Sequence, residues 1–245
     1  MTDTGTRRED DQQSSALMTL ILAIASRDGQ KASHLLDASP GLAQQVSKIG
    51  ATRQVSAAYY FKEIEHYVYV GDTALHIAAA AYAREISKKL LAKGANVRAR
   101  NRRGAEPLHY AVDGIPNSHA WNPAAQEAIV VCLIEAGADP NSADKSGVAP
   151  LHRAVRTRCA DAVRTLLANG ADARRKNGSG STPLHLAVQN TGRGGTGSSA
   201  SREQQREIIL LLLKHGARPT DKDTSGRSVI ESVAGDWILD ILRSS

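Results

Sequence analysis

Aromatic residues are scarce in this chain, one Phe, six Tyr and two Trp among 245 residues, so a core built on large rings is excluded and packing must rest on Ala, Leu, Ile and Val. Cysteine is scarcer still. Two residues, Cys132 and Cys159, exclude a disulfide framework and a cysteine-rich zinc module, and fit reduced thiols in a cytoplasm. Long hydrophobic runs are missing as well. The polar stretch Met1 to Ser15 leads into an apolar segment that Thr19 interrupts and that stops at Ala25, which reads neither as a signal peptide nor as a membrane span. What is present, 41% hydrophobic and 23% charged residues with both signs interspersed, is the composition of a soluble, ordered protein. The 31 Lys and Arg against 25 Asp and Glu leave a net charge of +6. That excess permits attraction to acidic proteins, nucleic acid or anionic membrane without choosing among them.

Aligning the chain on itself reveals a repeat. Gly71, Gly104, Gly147 and Gly180 are each followed four and five residues later by Leu and His, ending in Leu75-His76, Leu108-His109, Leu151-His152 and Leu184-His185. Successive glycines are 33, 43 and 33 residues apart, and a degenerate copy begins 46 further on, at Gly226. A second marker, a Gly-Ala pair at Gly94, Gly137, Gly170 and Gly216, places the extra residues between the two markers of the third and fifth units, at about 114–122 and 191–200. Each unit reads as two short helices. Thr73 and Thr182 suit N-caps, with Glu106 and Ala149 weaker ones, and Pro107, Pro150 and Pro183 suit the first helical turn. The second helix carries apolar residues at helical spacing, such as Ile86, Leu90 and Leu91 or Val163, Leu166 and Leu167, and ends at the second glycine. One such pair cannot bury its apolar face alone, so neighbours must stack.

At these residues the chain resembles the ankyrin-repeat family, whose signature Thr-Pro-Leu-His-x-Ala stands complete as Thr182, Pro183, Leu184, His185 and Ala187. The resemblance extends from Gly71 to about Val233, with Asn101, Asp144, Asn177 and Asp223 where the family places a hairpin-turn Asp or Asn. It implies an all-α solenoid of helical pairs joined by short β-hairpin-like turns, about six pairs including both caps. A disordered tail is expected over 1–13 and one solenoid domain over 14–245. Within it lie a capping pair (14–37), an aromatic insertion (41–70), repeats from 71, 104, 147 and 180, and a closing cap (226–245) around Trp237, Ile238, Ile241 and Leu242. The insertion holds Tyr59, Tyr60, Phe61, Tyr67 and Tyr69, and burial of Tyr59, Phe61 and Tyr67 in a satellite core is expected, since an exposed five-ring cluster makes a large apolar patch. Of the two later insertions, the first is expected ordered and the second, rich in Gly and Ser, mobile.

Candidate chemistry is thin. Stacked helices about 8–10 Å apart place His76, His109, His152 and His185 badly for sharing a metal, so hydrogen bonding near helix starts and between turns is expected of them. Gly192, Gly194 and Gly197 fit G-x-G-x-x-G, but a capped helix rather than a strand precedes them, and a helix capped by Ser201 is expected after them. Cys159 has Arg156 and Arg158 beside it but no motif that supplies a base. Neither an enzyme nor a cofactor or metal is expected. Charge says more, because residues 84–103 hold eight basic residues and one acidic, and residues 145–176 hold eight and two. In the family resembled, the contact surface is the concave face of hairpin tips and first helices. That mapping gives Arg100, Arg102, Arg103, Tyr110, Lys145, Arg153, Arg156 and Lys176 as the expected partner-binding residues. The function implied is a cytoplasmic, monomeric scaffold, adaptor or inhibitor that binds an acidic protein, with no membrane association. Binding of nucleic acid or another polyanion through the same surface is the alternative.

Overall fold

The computed structural model describes residues 15–115, 118–189, 199–233 and 235–244. The tail expected over 1–13, the three glycines at 192, 194 and 197, and most of the 191–200 insertion lie outside the described residues. The chain forms two compact units, Met1–Ala111 with Ala124–Ala138, and Val112–Pro123 with Asp139–Ser245. Each is a stack of helical pairs.

In the first unit, α1 (15–25) and α2 (Gly29–Ala38) come first, with Leu17, Leu20, Ile21, Ile24 and Leu36 buried. Next come α3 (Ala74–Ala80), α4 (Arg84–Ala92), α5 (Pro107–Ala111) and α6 (Pro123–Glu135), with α3 packed on α5 and α2 on α4. The second unit holds α7 (Pro150–Arg156), α8 (Ala160–Ala168), α9 (Pro183–Ala187), α10 (Ser199–Lys214) and the closing α11 (Asp236–Arg243). Here α7 packs on α9 and α8 on α10. Helix α10 starts two residues before Ser201, which therefore lies inside the helix rather than capping it. The repeated Leu75, Leu108, Leu151 and Leu184 are all at most 2% exposed, and each contributes about 1.5–3 kcal/mol over an exposed side chain. Three residues on, Ala78, Ala111, Ala154 and Ala187 are buried and small enough to let neighbouring first helices approach.

The histidines act as helix caps. In each repeat Nδ1 of the third helical residue accepts the backbone N–H of the cap position: Thr73 to His76 at 3.1 Å, Glu106 to His109 at 3.1 Å, Ala149 to His152 at 3.2 Å and Thr182 to His185 at 3.1 Å. This is the role a Glu or Gln plays in a capping box. An accepting Nδ1 puts the proton of a neutral ring on Nε2, which reaches the next repeat: His76 to the Ala105 carbonyl at 3.1 Å, His152 to Ser181 at 3.2 Å and His185 to Arg227 at 3.4 Å. Burial pulls the His152 imidazole below its ordinary value, outweighing the Ser181 carbonyl that favours the charged form. The unfolded chain, titrating near 6.5, therefore takes up this proton first as pH falls. The stability His152 contributes is complete above that pH and is lost as pH falls through the folded value. Gln at this position can accept the Ala149 N–H without titrating, so His152→Gln should show a shallower fall in melting temperature than wild type across that window.

The hairpin tips repeat as closely. Asn101, Asp144, Asn177 and Asp223 each accept, on Oδ1, two backbone N–H groups of their own turn, at 2.8–3.1 Å. Neighbouring tips are tied by backbone bonds, Gly178 N–H to Ser146 O at 2.9 Å and Thr224 N–H to Ser179 O at 3.2 Å. Gly147 shows why glycine is needed here: φ is +73°, and a Cβ would sit 2.5 Å from the Gly178 nitrogen.

The insertion before the first repeat has structure of its own. After a 3-10 turn (Pro40–Gln44), residues 46–51 run beside 68–73, joined by Ser47 N–H to Asp72 O and Ala51 N–H to Val68 O, both 2.7 Å. Gly50 is pressed against the Tyr69 backbone, where a Cβ would meet the carbonyl carbon at 2.5 Å. A second 3-10 turn (Ala57–Tyr59) leads into an antiparallel hairpin, β1 (Tyr60–Phe61) and β2 (His66–Tyr67), with Tyr60 opposite Tyr67 and Phe61 opposite His66. The His66 ring stacks on the buried Tyr110 and Val68 is buried, while Tyr67 and Tyr69, with ring centres 6.1 Å apart, are half-buried. Tyr59, Phe61 and Tyr67 are half-buried rather than exposed, and the buried apolar side chains of the insertion are Leu42, Ala43, Ala51, Ile64 and Val68.

Candidate functional site

The tip of the second repeat in the first unit rests on a buried polar network. Asp72, with no exposed surface, accepts the Tyr110 hydroxyl at 2.8 and 2.9 Å, Asn101 Nδ2 at 2.9 Å and the Tyr69 backbone N–H at 2.7 Å. The rings of His66 and His76 lie 4.2 and 5.1 Å from Tyr110. Above this network, Arg102 and Arg103 place their guanidinium carbons 5.6 and 5.2 Å from the centre of the Tyr69 ring, within cation–π range. Arg102 also donates to the Ala51 carbonyl at 2.5 Å. Both arginines are exposed, and among the described residues neither meets a carboxylate. Arg100, also exposed, donates to the Gly104 carbonyl at 3.2 Å and lies 3.5 Å from Glu106.

In the second unit Lys145 and Lys176 are exposed on two tips that the Gly178–Ser146 bond ties together, and Arg156 is exposed at the end of α7. Other basic residues are neutralised by carboxylates distant in sequence. Arg174 makes a two-point contact with Asp221 at 2.6 and 3.0 Å, and Arg164 meets Glu207 as well as its near neighbour Asp161. In the first unit Lys89 and Lys93 share Asp37.

Two expected contact residues are corrected. Tyr110 is 1% exposed and Arg153 is 8% exposed, so neither can meet a partner directly. Arg153 instead donates to Asp113 at 2.8 Å and Asp144 at 3.5 Å. Both residues follow the repeat histidine, the position that Ile77 occupies fully buried in the first copy. That equivalence is the signal that marks them as interior, and the residue sequence reasoning missed is Tyr69, the ring beneath the arginines.

Neither cysteine is poised for chemistry. Both are buried, and burial raises the Cys132 thiol, outweighing Arg84 and Lys88. Arg158, rather than activating its neighbour, donates to the carbonyls of Leu186, Ala187 and Gln189 at the end of α9. Among the described residues no cluster of His, Cys, Asp or Glu could hold a metal ion, and no helix is long and apolar enough to cross a membrane.

A family model of ankyrin repeats in three copies matches residues 120–223, and a single ankyrin repeat matches 70–102. The chain belongs to the ankyrin-repeat family. Ankyrin repeats account for the recurring helical pairs, the histidine caps and the Asn or Asp tips described above, and the family serves as an interaction scaffold for other proteins. Relatives that share the repeats differ widely otherwise. The E3 ubiquitin-protein ligase KEG of Arabidopsis thaliana is 33% identical over 149 residues, 61% of this chain and 8% of that protein. The B-cell lymphoma 3 protein homolog of Mus musculus is 26% identical over 183 residues, 75% of this chain and 37% of the relative. Neurogenic locus notch homolog protein 1 of Danio rerio is 33% identical over 123 residues, 40% of this chain and 5% of the relative. The chain thus spans well under half the length of each of these ankyrin-repeat relatives.

Proposed function

We propose that this chain is a non-catalytic protein-binding module, a scaffold, adaptor or inhibitor, that engages an acidic partner through its basic hairpin tips. The observation that carries this reading is the pair Arg102 and Arg103, two exposed guanidinium groups held over one ring with no carboxylate on them among the described residues. Arg100 extends that tip, and Lys145, Arg156 and Lys176 give the second unit an exposed basic group of its own. Two buried free thiols fit a reducing compartment, and we propose a cytoplasmic location on that ground. The test is capture of partners on immobilised protein, with and without nuclease, followed by elution across a salt series. Acidic proteins released by moderate salt and indifferent to nuclease support the reading, because exposed ion pairs are screened beyond about 10 Å at 0.1 M salt. Partners that are neutral and salt-resistant contradict it. Retention that nuclease removes, with a steep fall in affinity against salt, transfers the surface to nucleic acid.

A further inference from the structure

The aromatic insertion and the Arg102–Arg103 tip are physically continuous. Tyr60 and Tyr67 pair across β1 and β2 with ring centres 4.8 Å apart, the rings of Tyr67 and Tyr69 are 6.1 Å apart, and Tyr69 carries both arginines. The Arg102 bond to Ala51 ties the same tip to the strand-like segment 46–51. This insertion also holds a concentration of exposed apolar side chains: Val46, Ile49, Val55 and Tyr60 are 52, 43, 51 and 39% exposed. Tyrosine and arginine are the residue types that dominate binding energy at protein interfaces.

We propose that the insertion and this tip form one docking surface for an acidic peptide segment that carries an aromatic or aliphatic anchor beside its acidic residues. The proposal rests on the reading of the basic tips as a partner-binding surface and adds what gives them specificity. Charge sets the orientation. Carboxylates of the partner meet Arg102 and Arg103 rather than the hairpin turn, where Glu63 and Glu65 outnumber Lys62. The anchor therefore lies toward Tyr60 and Tyr67. A peptide is favoured over single-stranded nucleic acid because the exposed Val46, Ile49 and Val55 offer a base nothing to stack on, and guanidinium groups already lie over Tyr69. Tyr110 serves here as a positioning residue, since its hydroxyl and the Tyr69 N–H share the Asp72 carboxylate.

Selection from a displayed library of random short peptides tests this with wild type, with Tyr60→Ser combined with Val55→Ser, and with Arg102→Glu combined with Arg103→Glu. Melting temperatures confirm that each variant folds, and the exposure of Tyr60 and Val55 keeps the first double variant informative. Wild type should enrich peptides in which Asp or Glu residues neighbour Phe, Trp or Leu. The Tyr60 and Val55 variant should keep the acidic preference, lose the apolar one, and bind a synthesised selected peptide about ten-fold or more weakly, a loss typical of an interface hot spot. The arginine variant should lose the acidic preference. Enrichment of acidic peptides without an apolar anchor overturns the docking surface while leaving the proposed function standing, and absence of any acidic enrichment on wild type removes both. Competition of the selected peptide by single-stranded oligouridylate, abolished by Tyr60→Ser, overturns the peptide assignment in favour of nucleic acid.

Discussion

Replacing Arg153 by Met is expected to destabilise the second unit by about 3–5 kcal/mol, the range for removing one partner of a buried ion pair. Its guanidinium holds Asp113 at 2.8 Å and Asp144 at 3.5 Å, and the three side chains are only 10, 22 and 10% exposed. Asp144 is also the residue whose Oδ1 captures the Ser146 and Val148 N–H groups and so shapes its tip. Without Arg153, two carboxylates remain half-desolvated beside an apolar side chain. Water reaching Asp113 relieves part of the cost, which places the expected value toward the lower end. Arg156, three residues on and exposed, is the control: Arg156→Met should change stability by within about 0.5 kcal/mol. Urea denaturation followed by circular dichroism checks both. Equal midpoints for Arg153→Met and wild type would return Arg153 to the surface.

Asp72→Ala should cost a similar amount in the first unit. The substitution removes the acceptor shared by the Tyr110 hydroxyl and the Tyr69 N–H, while Asn101 Nδ2 retains the Tyr110 oxygen at 2.9 Å. Each orphaned donor costs about 1–3 kcal/mol and such losses are not additive, so about 3–5 kcal/mol is expected in all. Asp72→Asn, which keeps the shape and one acceptor oxygen, should fall between the two. Hydrogen exchange provides a local readout, because the Tyr69 amide loses its acceptor. Protection of that amide unchanged in Asp72→Ala would mean that the network does not hold the aromatic insertion against the tip.

The repeat architecture was legible because it is written in local chemistry. Glycine spacing, Thr caps, first-turn prolines and the Asn or Asp of each tip act within one turn of chain, and the histidines at one recurring position fulfil the capping and linking role expected of them. The site was less legible because its determinants are long-range. Charge counted along the sequence overstated the basic surface: Lys89, Arg153 and Arg174 meet carboxylates 52, 40 and 47 residues away. Tyr110 and Arg153 were placed outward by their nearness to the tips, although their alignment with Ile77 already put them inside. The insertion held back the most. Five aromatic residues predict burial by composition, yet on a hairpin of two-residue strands Tyr60 is exposed and the others are half-buried, and nothing local signals that Tyr69 sits under two arginines contributed from more than thirty positions later.

The central claim is that the exposed basic side chains carry partner binding while contributing little to the fold. The most direct measurement is the affinity of a captured partner for wild type and for the variant Arg103→Glu, Lys145→Glu, Arg156→Glu, with melting temperatures taken on the same samples. Binding should be at least about a hundred-fold weaker, roughly 2.8 kcal/mol at 1.4 kcal/mol per decade, with melting temperatures that coincide. Equal affinity at equal stability would contradict the claim.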